Sequence, residues 1–253
     1  MIKAVLISFN APPLVANGIE HYTQINGGMT CVDGVLSEAR DFIPNFSHLN
    51  SILFESSVIL TSWQHMDQVF GQSHVAFVHD DITKTEYFDE GIELINSGPT
   101  SGASYGITTP SGINVGRLDF TDSQHFRCSN DPWWMSSFDM RVNVWAALRE
   151  YDEEAYEYVK YNDIPMIYGH QFICTSDVFA KLGASMASVL DRVTLSNTGL
   201  WTPHVFERII AIRLHMYSHS VHRLLNLYHH DLSSGHGKNK LYGVREYKFI
   251  SEI

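Results

Sequence analysis

The chain has 253 residues, and its 28 Asp and Glu outnumber its 17 Lys and Arg, which gives a formal net charge of −11. Such an acidic chain, without a basic stripe, is a poor match for a general nucleic-acid-binding protein, so we expect no nucleic-acid partner. The length and the 44% of hydrophobic residues allow a sizeable core, and we expect one domain over residues 1–253.

The first part of the chain contains two apolar runs that predict strands, with a helical pattern between them. Lys3 to Phe9 is a weakly alternating apolar run, and the prolines and glycine of NAPPLVANG end it. Residues 19–40 allow no decision. Apolar residues recur every three or four positions from Leu49 to Trp63, which predicts a helix with Ser47 as a candidate N-cap. Val75 to Val78 is a short apolar run typical of a buried strand.

The rest of the chain alternates loop, strand and helix patterns. In chain order the sequence predicts a long loop rich in Gly, Ser, Thr and Pro over 96–116, a helix around 137–150 with a further one to 160, a strand from Ile167 to Cys174, a helix from Val178 to Val193 with Ser176 as N-cap, and a helix opened by Thr202-Pro203. Strands interspersed with helices indicate the α/β class. We therefore expect a central, mainly parallel sheet with helices on both faces.

The apolar run at Val75–Val78 ends abruptly in His79, Asp80 and Asp81. Unpaired carboxylates are costly to bury, so such a cluster is usually solvated, hydrogen-bonded or metal-bound. One interpretation is a site at the carboxyl edge of an open α/β sheet, where a divalent cation bridges a diphosphate. The other is a strand that runs out into a polar turn. The chain has no Walker-type phosphate loop, so we expect a diphosphate to bind between Ser8–Pro12 and Asp80-Asp81.

The C-terminal tail, residues 229–253, carries a second candidate set of ligands. His229-His230-Asp231 and His236 combine imidazole with carboxylate, a set that suits Mn²⁺ or Zn²⁺ better than Mg²⁺. Because the tail is polar and contains glycine, we expect it to close over a bound nucleotide. The alternative is an exposed His-rich tail with no role.

Two more segments supply candidate site residues. Glu207 is predicted in the first turn of an apolar helix, where it is either a base or orienting carboxylate or is favoured only by the helix dipole. In YGHQF, Gly169 permits close backbone approach, and His170 and Gln171 offer hydrogen bonds to hydroxyl groups. Trp201 is a candidate for stacking on a sugar face, although tryptophan more often belongs to the core.

The cysteines and the hydropathy pattern bear on location. Cys31, Cys128 and Cys174 lie far apart and form neither a metal-binding spacing nor a disulfide framework, which is typical of a reducing compartment, and we expect a cytoplasmic protein. The start of the chain resembles a strand more than a signal peptide. No run approaches the roughly 20 apolar residues that a membrane-spanning helix needs, so we expect no transmembrane segment.

Three stretches together resemble glycosyltransferases with the GT-A nucleotide-sugar fold. The strand that ends in an acidic DxD-type motif is matched by HVAFVHDDI, the strand and helix that follow it by IYGHQFICTSDVFAKL, and the later element with a carboxylate near the acceptor by WTPHVFERIIAIRL. A more specific similarity, carried by NFSHLNSILFESSVILTSW and FERII, is to a bacterial and viral glycosyltransferase-like family of the DUF4422 type. The resemblance covers roughly residues 43–215.

The chain departs from the DxD pattern at its first position, which is His79. In the DUF4422-type family the same strand also ends in His, but Tyr-Arg-Arg follows there, whereas Asp80-Asp81 follows here. A metal requirement therefore follows less directly from the resemblance than the fold does.

The resemblance implies a role for each candidate residue. Asp81 becomes a metal ligand, Glu207 the acceptor-side catalytic carboxylate, and the tail histidines His230 and His236 closing metal ligands. The remaining candidates are donor-binding (Ser8, Asn10, His79, Asp80 and Asp81) and acceptor-binding (Gly169, His170, Gln171 and Trp201).

The implied reaction moves a hexosyl or deoxyhexosyl group from a nucleoside-diphosphate sugar, of uridine or guanosine, to a carbohydrate acceptor in surface glycan or polysaccharide synthesis. A divalent cation, Mn²⁺ or Mg²⁺, is the expected cofactor. Two other functions remain open. One is a metal-dependent phosphohydrolase with ligands from VHDD, HHD and SGHG, although helical His-Asp hydrolases carry their ligands on helices. The other is a non-catalytic nucleotide- or carbohydrate-binding module.

Overall fold

The computed structural model describes residues 4–16, 18–29, 31–70, 74–79, 89–108, 146–162, 167, 170–193 and 202–225. The strands among these residues are β1 (Ala4–Ser8), β2 (Tyr22–Asn26), β3 (Leu36–Ser37), β4 (His74–His79), β5 (Ala103–Thr108), β6 (Phe172–Thr175) and β7 (Ser220–Leu225). They form one sheet in the order β3-β2-β1-β4-β6-β5-β7.

The helices of the same residues are α1 (Glu38–Asp41), α2 (Asn50–Leu53), α3 (Glu55–Gln64), α4 (Met66–Val69), α5 (Asp89–Ser97), α6 (residues 146–151), α7 (Glu153–Tyr161), α8 (Ser176–Arg192) and α9 (Thr202–Tyr217), with a 3₁₀ turn at Ser47–Leu49. No helix in the described ranges is long and apolar enough to cross a bilayer.

The sheet is mainly parallel, as the sequence predicts. β1 pairs in parallel with β2 and β4, β2 with β3, and β5 with β7, whereas β6 is antiparallel to both of its neighbours, β4 and β5. Six strands therefore end at the same side of the sheet, and β6 begins there. We call this side the carboxyl edge.

Both faces of the sheet are covered. Because strand side chains alternate, Val5 and Ile7 of β1 point into a larger core that α3, α7, α8 and α9 complete. Ala4 and Leu6 point into a smaller core on the opposite face, where Ile95 of α5 covers them. Burial on both sides explains why β1 and most of β4 are continuous apolar runs. The predicted α/β class with helices on both faces is confirmed.

The helix predicted from Leu49 to Trp63 is broken. α2 ends at Leu53 and α3 starts after Phe54, whose φ of 48° interrupts the helical backbone. Apolar spacing gives no sign of such a break, because a left-handed conformation is uncommon for a bulky residue. Ser47 was predicted as the N-cap, and this is wrong. It lies inside the 3₁₀ turn, and its hydroxyl donates to Asn45 Oδ1 at 2.6 Å.

Two boundaries around β6 also differ from prediction. The strand begins at Phe172 rather than Ile167, because the turn before it places His170 at a φ of 59°. The N-cap of α8 is Thr175 rather than Ser176, since the Thr175 hydroxyl accepts the first cap hydrogen bond from the helix backbone.

The remaining predicted segments agree with the structure in part. The predicted loop over 96–116 contains β5, and the undecided stretch 19–40 contains β2, β3 and most of α1. The helix predicted to 160 is α7, and α9 begins at Thr202 as predicted. Of the helix predicted around 137–150, residues 146–150 are helical and the rest lies outside the described residues. The single-domain prediction and the closing role of residues 229–253 stay predictions.

Candidate functional site

The carboxyl edge has a switch point between β1 and β4. These strands lie side by side, with Ile7 opposite His79, while β2 extends the sheet on one side and β6 on the other. In open α/β sheets, ligands bind in the crevice outside such a point. Segment 9–16, which follows β1, and the end of β4 at His79 border this crevice, which is where the sequence predicts the diphosphate.

Segment 9–16, which follows β1, is attached to β2 by side-chain hydrogen bonds. Asn10 is exposed and has a φ of 55°, a left-handed conformation that Asn tolerates better than most residues. Ser8 is buried, and its hydroxyl donates to Asn26 Oδ1 at 2.5 Å and accepts from Gln24 Nε2 at 2.9 Å. Of these two predicted donor-binding residues, Asn10 is accessible at the edge, and Ser8 supports the segment from within.

The reversed strand β6 brings the YGHQF segment to the same edge. Phe172 pairs with Phe77 near the end of β4, so His170 and Gln171 lie where β4 ends. His170 is buried, with Nε2 within 2.7 Å of the Ser56 hydroxyl and Nδ1 3.6 Å from Glu55 Oε2. The first turn of α3 therefore fixes the imidazole at the entry to β6.

Glu207 is buried in the second turn of α9, beyond the first turn in which the helix dipole acts most strongly. Its Oε2 accepts from Arg208 Nη1 at 2.8 Å and lies 3.7 Å from His204 Nδ1. Burial alone would raise the pKa of Glu207. The close contact with His204, the positive charge of Arg208 and the electrostatic effects of His170 and His204 outweigh it and lower the pKa to about 2. Glu207 is therefore a buried, ionised carboxylate at neutral pH.

Glu207 and His170 come together from segments that are distant in sequence. His170 is near enough to Glu207 to lower the pKa of that carboxylate. α3, whose Ser56 contacts the His170 imidazole, packs against α9. α9 ends beside the start of β5, where His219 N donates to Gly102 O. β7 follows and runs from there to the carboxyl edge. The start of α9 therefore lies at the carboxyl edge. A catalytic and an acceptor-binding candidate thus share one cluster.

Several predicted site residues lie outside the described residues: Asp80, Asp81, Gly169, Trp201, His230 and His236. By sequence, Asp80 and Asp81 follow β4, and the tail follows β7, and both of these strands end at the carboxyl edge. Across the residues that are described, no group of three His, Cys, Asp or Glu forms a metal-binding cluster. The metal ligands stay predictions, as do the individual donor and acceptor roles.

Four residues complete the Glu207 cluster and are not among the predicted site residues: Glu55, Ser56, His204 and Arg208. Glu55 and Ser56 lie in the middle of the helix predicted from Leu49 to Trp63, and His204 and Arg208 flank Glu207 in the helix opened by Thr202-Pro203. Arg208 is in fact buried, and so is Ser56. The signal available in the sequence was the charged pair Glu207-Arg208 inside an apolar helix, because such a pair needs a partner or a function.

A second buried carboxylate organises the end of β2. Glu38 accepts hydrogen bonds from Gly28 N at 2.9 Å, Ser57 Oγ at 2.9 Å and Thr61 Oγ1 at 2.8 Å. Burial raises its pKa, although these hydrogen bonds oppose the rise. Glu38 therefore links the loop after β2 to α3 and has a structural role.

A cavity of about 500 Å³ lies beside segment 9–16. Pro13 and Leu14 form one wall, β2 forms the floor, and Leu36 and Arg40 form the opposite wall. The volume is within the range of small-molecule pockets. The cavity is therefore bordered by the same segment that carries Asn10.

Comparison with known proteins gives one informative result. No family model matches the chain, and no curated protein matches it. Among solved structures, the chain is similar to the apo structure of the bifunctional glycosyltransferase WbbM, with a TM-score of 0.55 and 14% sequence identity. The alignment covers 88% of this chain and 44% of that one, so this chain spans less than half of the neighbour's length.

The fold is similar to that of WbbM. The seven-stranded sheet with helices on both faces and the likeness to WbbM agree with the predicted GT-A-like class. At 14% identity the likeness concerns the fold alone. Membership of the DUF4422-type family stays a prediction, because no family model matches.

Proposed function

We propose that this protein transfers a hexosyl or deoxyhexosyl group from a nucleoside-diphosphate sugar to a carbohydrate acceptor, acting in the cytoplasm in surface glycan or polysaccharide synthesis. The observation that carries the proposal is the convergence of Glu207 and His170 at the carboxyl edge of a GT-A-like sheet. They lie on the side of the sheet where ligands bind in this class of fold.

The donor is placed at the switch point between β1 and β4. Its nucleoside diphosphate, of uridine or guanosine, would lie between Ser8–Pro12 and Asp80-Asp81. The accessible Asn10 supports this position, and so does the end of β4 at His79 beside β1. His79 is assigned to the donor for the same reason.

A divalent cation, Mn²⁺ or Mg²⁺, would stabilise the negative charge that develops on the departing diphosphate. Asp81 would supply a hard carboxylate oxygen, and His230 and His236 would complete the set from the tail. A mixed imidazole and carboxylate set favours Mn²⁺ over Mg²⁺.

Glu207 is assigned to the acceptor side. For an inverting reaction, the acceptor hydroxyl oxygen forms a bond to the anomeric carbon while the bond from that carbon to the diphosphate oxygen breaks. The hydroxyl proton is released toward Glu207, which is ionised and accepts a hydrogen bond from the hydroxyl. With a pKa of about 2, Glu207 acts more as an orienting carboxylate than as a strong base. Gly169, His170, Gln171 and Trp201 would bind the acceptor sugar around it.

Thermal unfolding in the presence of a panel of nucleotide sugars, with and without Mn²⁺, tests this proposal. We expect one nucleotide sugar to raise the melting temperature, with a larger rise when Mn²⁺ is present, and to be consumed when an acceptor glycan is added. Binding without transfer to any acceptor would support a binding module instead. Release of inorganic phosphate would support the phosphohydrolase.

A paired substitution sharpens this test. Asp81→Ala should remove the extra stabilisation that Mn²⁺ gives in the presence of the nucleotide sugar, because a hard metal ligand is lost. Asp67→Ala, at an exposed position of α4, should leave it unchanged. Equal behaviour of the two variants would remove Asp81 from the metal site.

A further inference from the structure

Segment 9–16 cannot be held in place by an ordinary strand ladder. Its centre is Pro12-Pro13, and neither proline has a backbone N–H to donate. The segment nevertheless runs along β2 from its end toward its start: Ala11 lies near Asn26, Leu14 near Gln24 and Ala16 near Tyr22. Something other than backbone pairing must order it.

Three side chains of β2 provide that order. Tyr22, Gln24 and Asn26 occupy alternate positions of the strand, so they share one face of the sheet. We call these three residues the β2 ladder. Each both donates and accepts hydrogen bonds. Asn26 Nδ2 donates to Ala11 O at 3.1 Å, and its Oδ1 accepts from Ala11 N at 3.3 Å. Gln24 Nε2 donates to Pro12 O at 3.0 Å, and its Oε1 accepts from Leu14 N at 2.8 Å. The Tyr22 hydroxyl donates to Leu14 O at 2.9 Å and accepts from Ala16 N at 3.2 Å.

The two amides reproduce the donor and acceptor pattern of a missing strand. Gln24 and Asn26 are buried, so their hydrogen bonds are protected from competition with water. They are also joined through the buried Ser8 hydroxyl, which donates to Asn26 and accepts from Gln24. The end of β1 and the first half of segment 9–16 therefore form one connected network with the end of β2.

The ladder has a near end and a far end with respect to Asn10. Asn26 and Gln24 bind residues 8, 11, 12 and 14, on either side of Asn10, whereas Tyr22 binds only residues beyond it, 14 and 16. Only the near end can control the left-handed backbone of Asn10 directly.

We propose that Gln24 and Asn26 are positioning residues for the nucleotide, and that they hold the β1–β2 face of the donor crevice in its binding shape without touching the ligand themselves. This inference rests on the proposed function, because it takes segment 9–16 as a wall of the donor site. It assigns a binding role to β2, a strand that contributes none of the predicted site residues.

Three near-isosteric substitutions test the inference: Asn26→Leu, Gln24→Met and Tyr22→Phe. Each removes hydrogen bonds from the ladder and keeps much of the side-chain volume. If the loss of the hydrogen bonds of Gln24 or of Asn26 leaves segment 9–16 in its binding shape about one tenth of the time, affinity for the nucleotide falls about tenfold. We expect such a loss for Asn26→Leu and Gln24→Met and a loss of less than about threefold for Tyr22→Phe.

Calorimetric titration with uridine diphosphate and with guanosine diphosphate, each with Mn²⁺, gives these affinities, and the melting temperatures of the same variants give their stabilities. A purely structural ladder predicts affinity losses that follow the loss of melting temperature in all three variants. A positioning ladder predicts losses that follow the distance from Asn10. The control is Thr23→Val in the same strand, whose side chain makes no hydrogen bond with the segment, and it should bind like the parent.

Hydrogen exchange keeps the inference testable where a variant does not fold. Among the described residues, the amides of Ala11 and Leu14 are bonded only to ladder side chains. In the parent protein they should therefore exchange more slowly than in an unstructured peptide, and Gln24→Met should speed exchange at Leu14. Fast exchange of both amides in the parent would overturn the inference. Binding of neither nucleotide by the parent overturns the proposed function and this inference together. Normal binding by both near-end variants overturns the inference alone.

Discussion

Glu207 has a low pKa chiefly because it contacts His204 and the cationic Arg208, and this limits the part it can take in sugar transfer. Glu207→Gln should leave nucleotide affinity nearly unchanged and lower turnover. General-base contributions are about 10²- to 10⁴-fold, and we expect a loss near the lower end, since a carboxylate with a pKa of about 2 is a weak base. Turnover within twofold of the parent would remove Glu207 from the catalytic group.

The same substitution also removes the charge that pairs with the buried Arg208. The stability lost should be about 1.5–3 kcal/mol, the usual range for a hydrogen bond to a charged group. Glu157→Gln is the matched control, because Glu157 forms an exposed ion pair with Lys160 and such pairs contribute little to stability. Turnover of the control should equal that of the parent, so a turnover loss can be separated from a general effect of removing a carboxylate.

His215 gives the protein a pH dependence of stability. Burial lowers its pKa from 6.5 to about 4, and Nε2 has no hydrogen-bond partner among the described residues. The unfolded chain therefore binds a proton at a higher pH than the folded chain does. The stability linked to His215 is fully present above pH 6.5 and is lost progressively as the pH falls toward 4.

His215→Leu should therefore flatten the fall in stability between pH 6.5 and 4, because the substituted side chain takes up no proton. Urea unfolding of parent and variant at several pH values in this window measures the effect. His65→Leu, at a partly exposed position, controls for the loss of a histidine in general. Parallel pH profiles for the parent and His215→Leu would contradict the prediction.

At the scale of elements, α3 and α8 approach so closely that only glycine is accommodated at position 183. A Cβ added to Gly183 would lie 2.1 Å from Cγ of Trp63, whose indole nitrogen donates to Ala180 O at 3.1 Å. Gly183→Ala gains about 1 kcal/mol in helix propensity. We expect a net loss of about 1–3 kcal/mol, because overpacking forces the two helices apart and strains the indole hydrogen bond.

Ser188→Ala is the control for Gly183→Ala, since it changes an exposed position of the same helix and should be neutral or slightly stabilising. Denaturant unfolding of Gly183→Ala, of Trp63→Leu and of the double variant measures the coupling between the two positions. If the loss in Gly183→Ala persists unchanged when Trp63 is shortened, the clash is not its cause.

α7 and α9 are joined by a buried ion pair. Arg213 donates from Nη2 to Asp152 Oδ1 at 2.5 Å and from Nε to Oδ2 at 3.1 Å, while Asp152 also caps α7 by accepting from Ala155 N. Asp152→Asn leaves the Arg213 charge less compensated inside the protein. We expect a loss of about 3 kcal/mol, at the lower end for a broken buried pair, because Arg213 retains Glu154.

Glu154→Gln separates burial from charge in the same cluster. Glu154 also binds Arg213, at 2.7 Å, but its side chain is 72% exposed, so the expected loss is less than about 1 kcal/mol. Guanidinium unfolding at neutral pH measures both variants. Equal losses for Asp152→Asn and Glu154→Gln would show that burial does not set the strength of these pairs.

Taken over the whole molecule, the strands buried on both faces were the most predictable elements. β1 and β4 are continuous apolar runs because each contacts a core on both sides. β2 is not evident from the sequence because one of its faces carries Tyr22, Gln24 and Asn26, whose polar groups bind segment 9–16 and interrupt the apolar pattern. The break at Phe54 and the reversal of β6 depend on tertiary packing, which local patterns do not encode.

The candidate site was also predictable in part. Glu207 and His170 were singled out as residues whose chemistry suits the reaction, and the fold brings both to one cluster. Their partners Glu55, Ser56, His204 and Arg208 are ordinary residues in the sequence, and only the packing of α3 against α9 makes them neighbours. The sequence therefore predicts which candidate site residues are present better than it predicts the neighbouring side chains that affect their properties.

The carboxyl edge has a consequence for the order of events in folding. Ser8, His79, His170 and Glu207 are separated by long stretches of chain, and they meet there only after β1, β4 and β6 have paired. Helices form from local contacts, whereas pairing of distant strands is slow because a long loop must first be closed. On dilution from denaturant, helical circular dichroism should therefore recover before nucleotide binding does, and a fragment that ends before β6 should regain helix without ever acquiring the site.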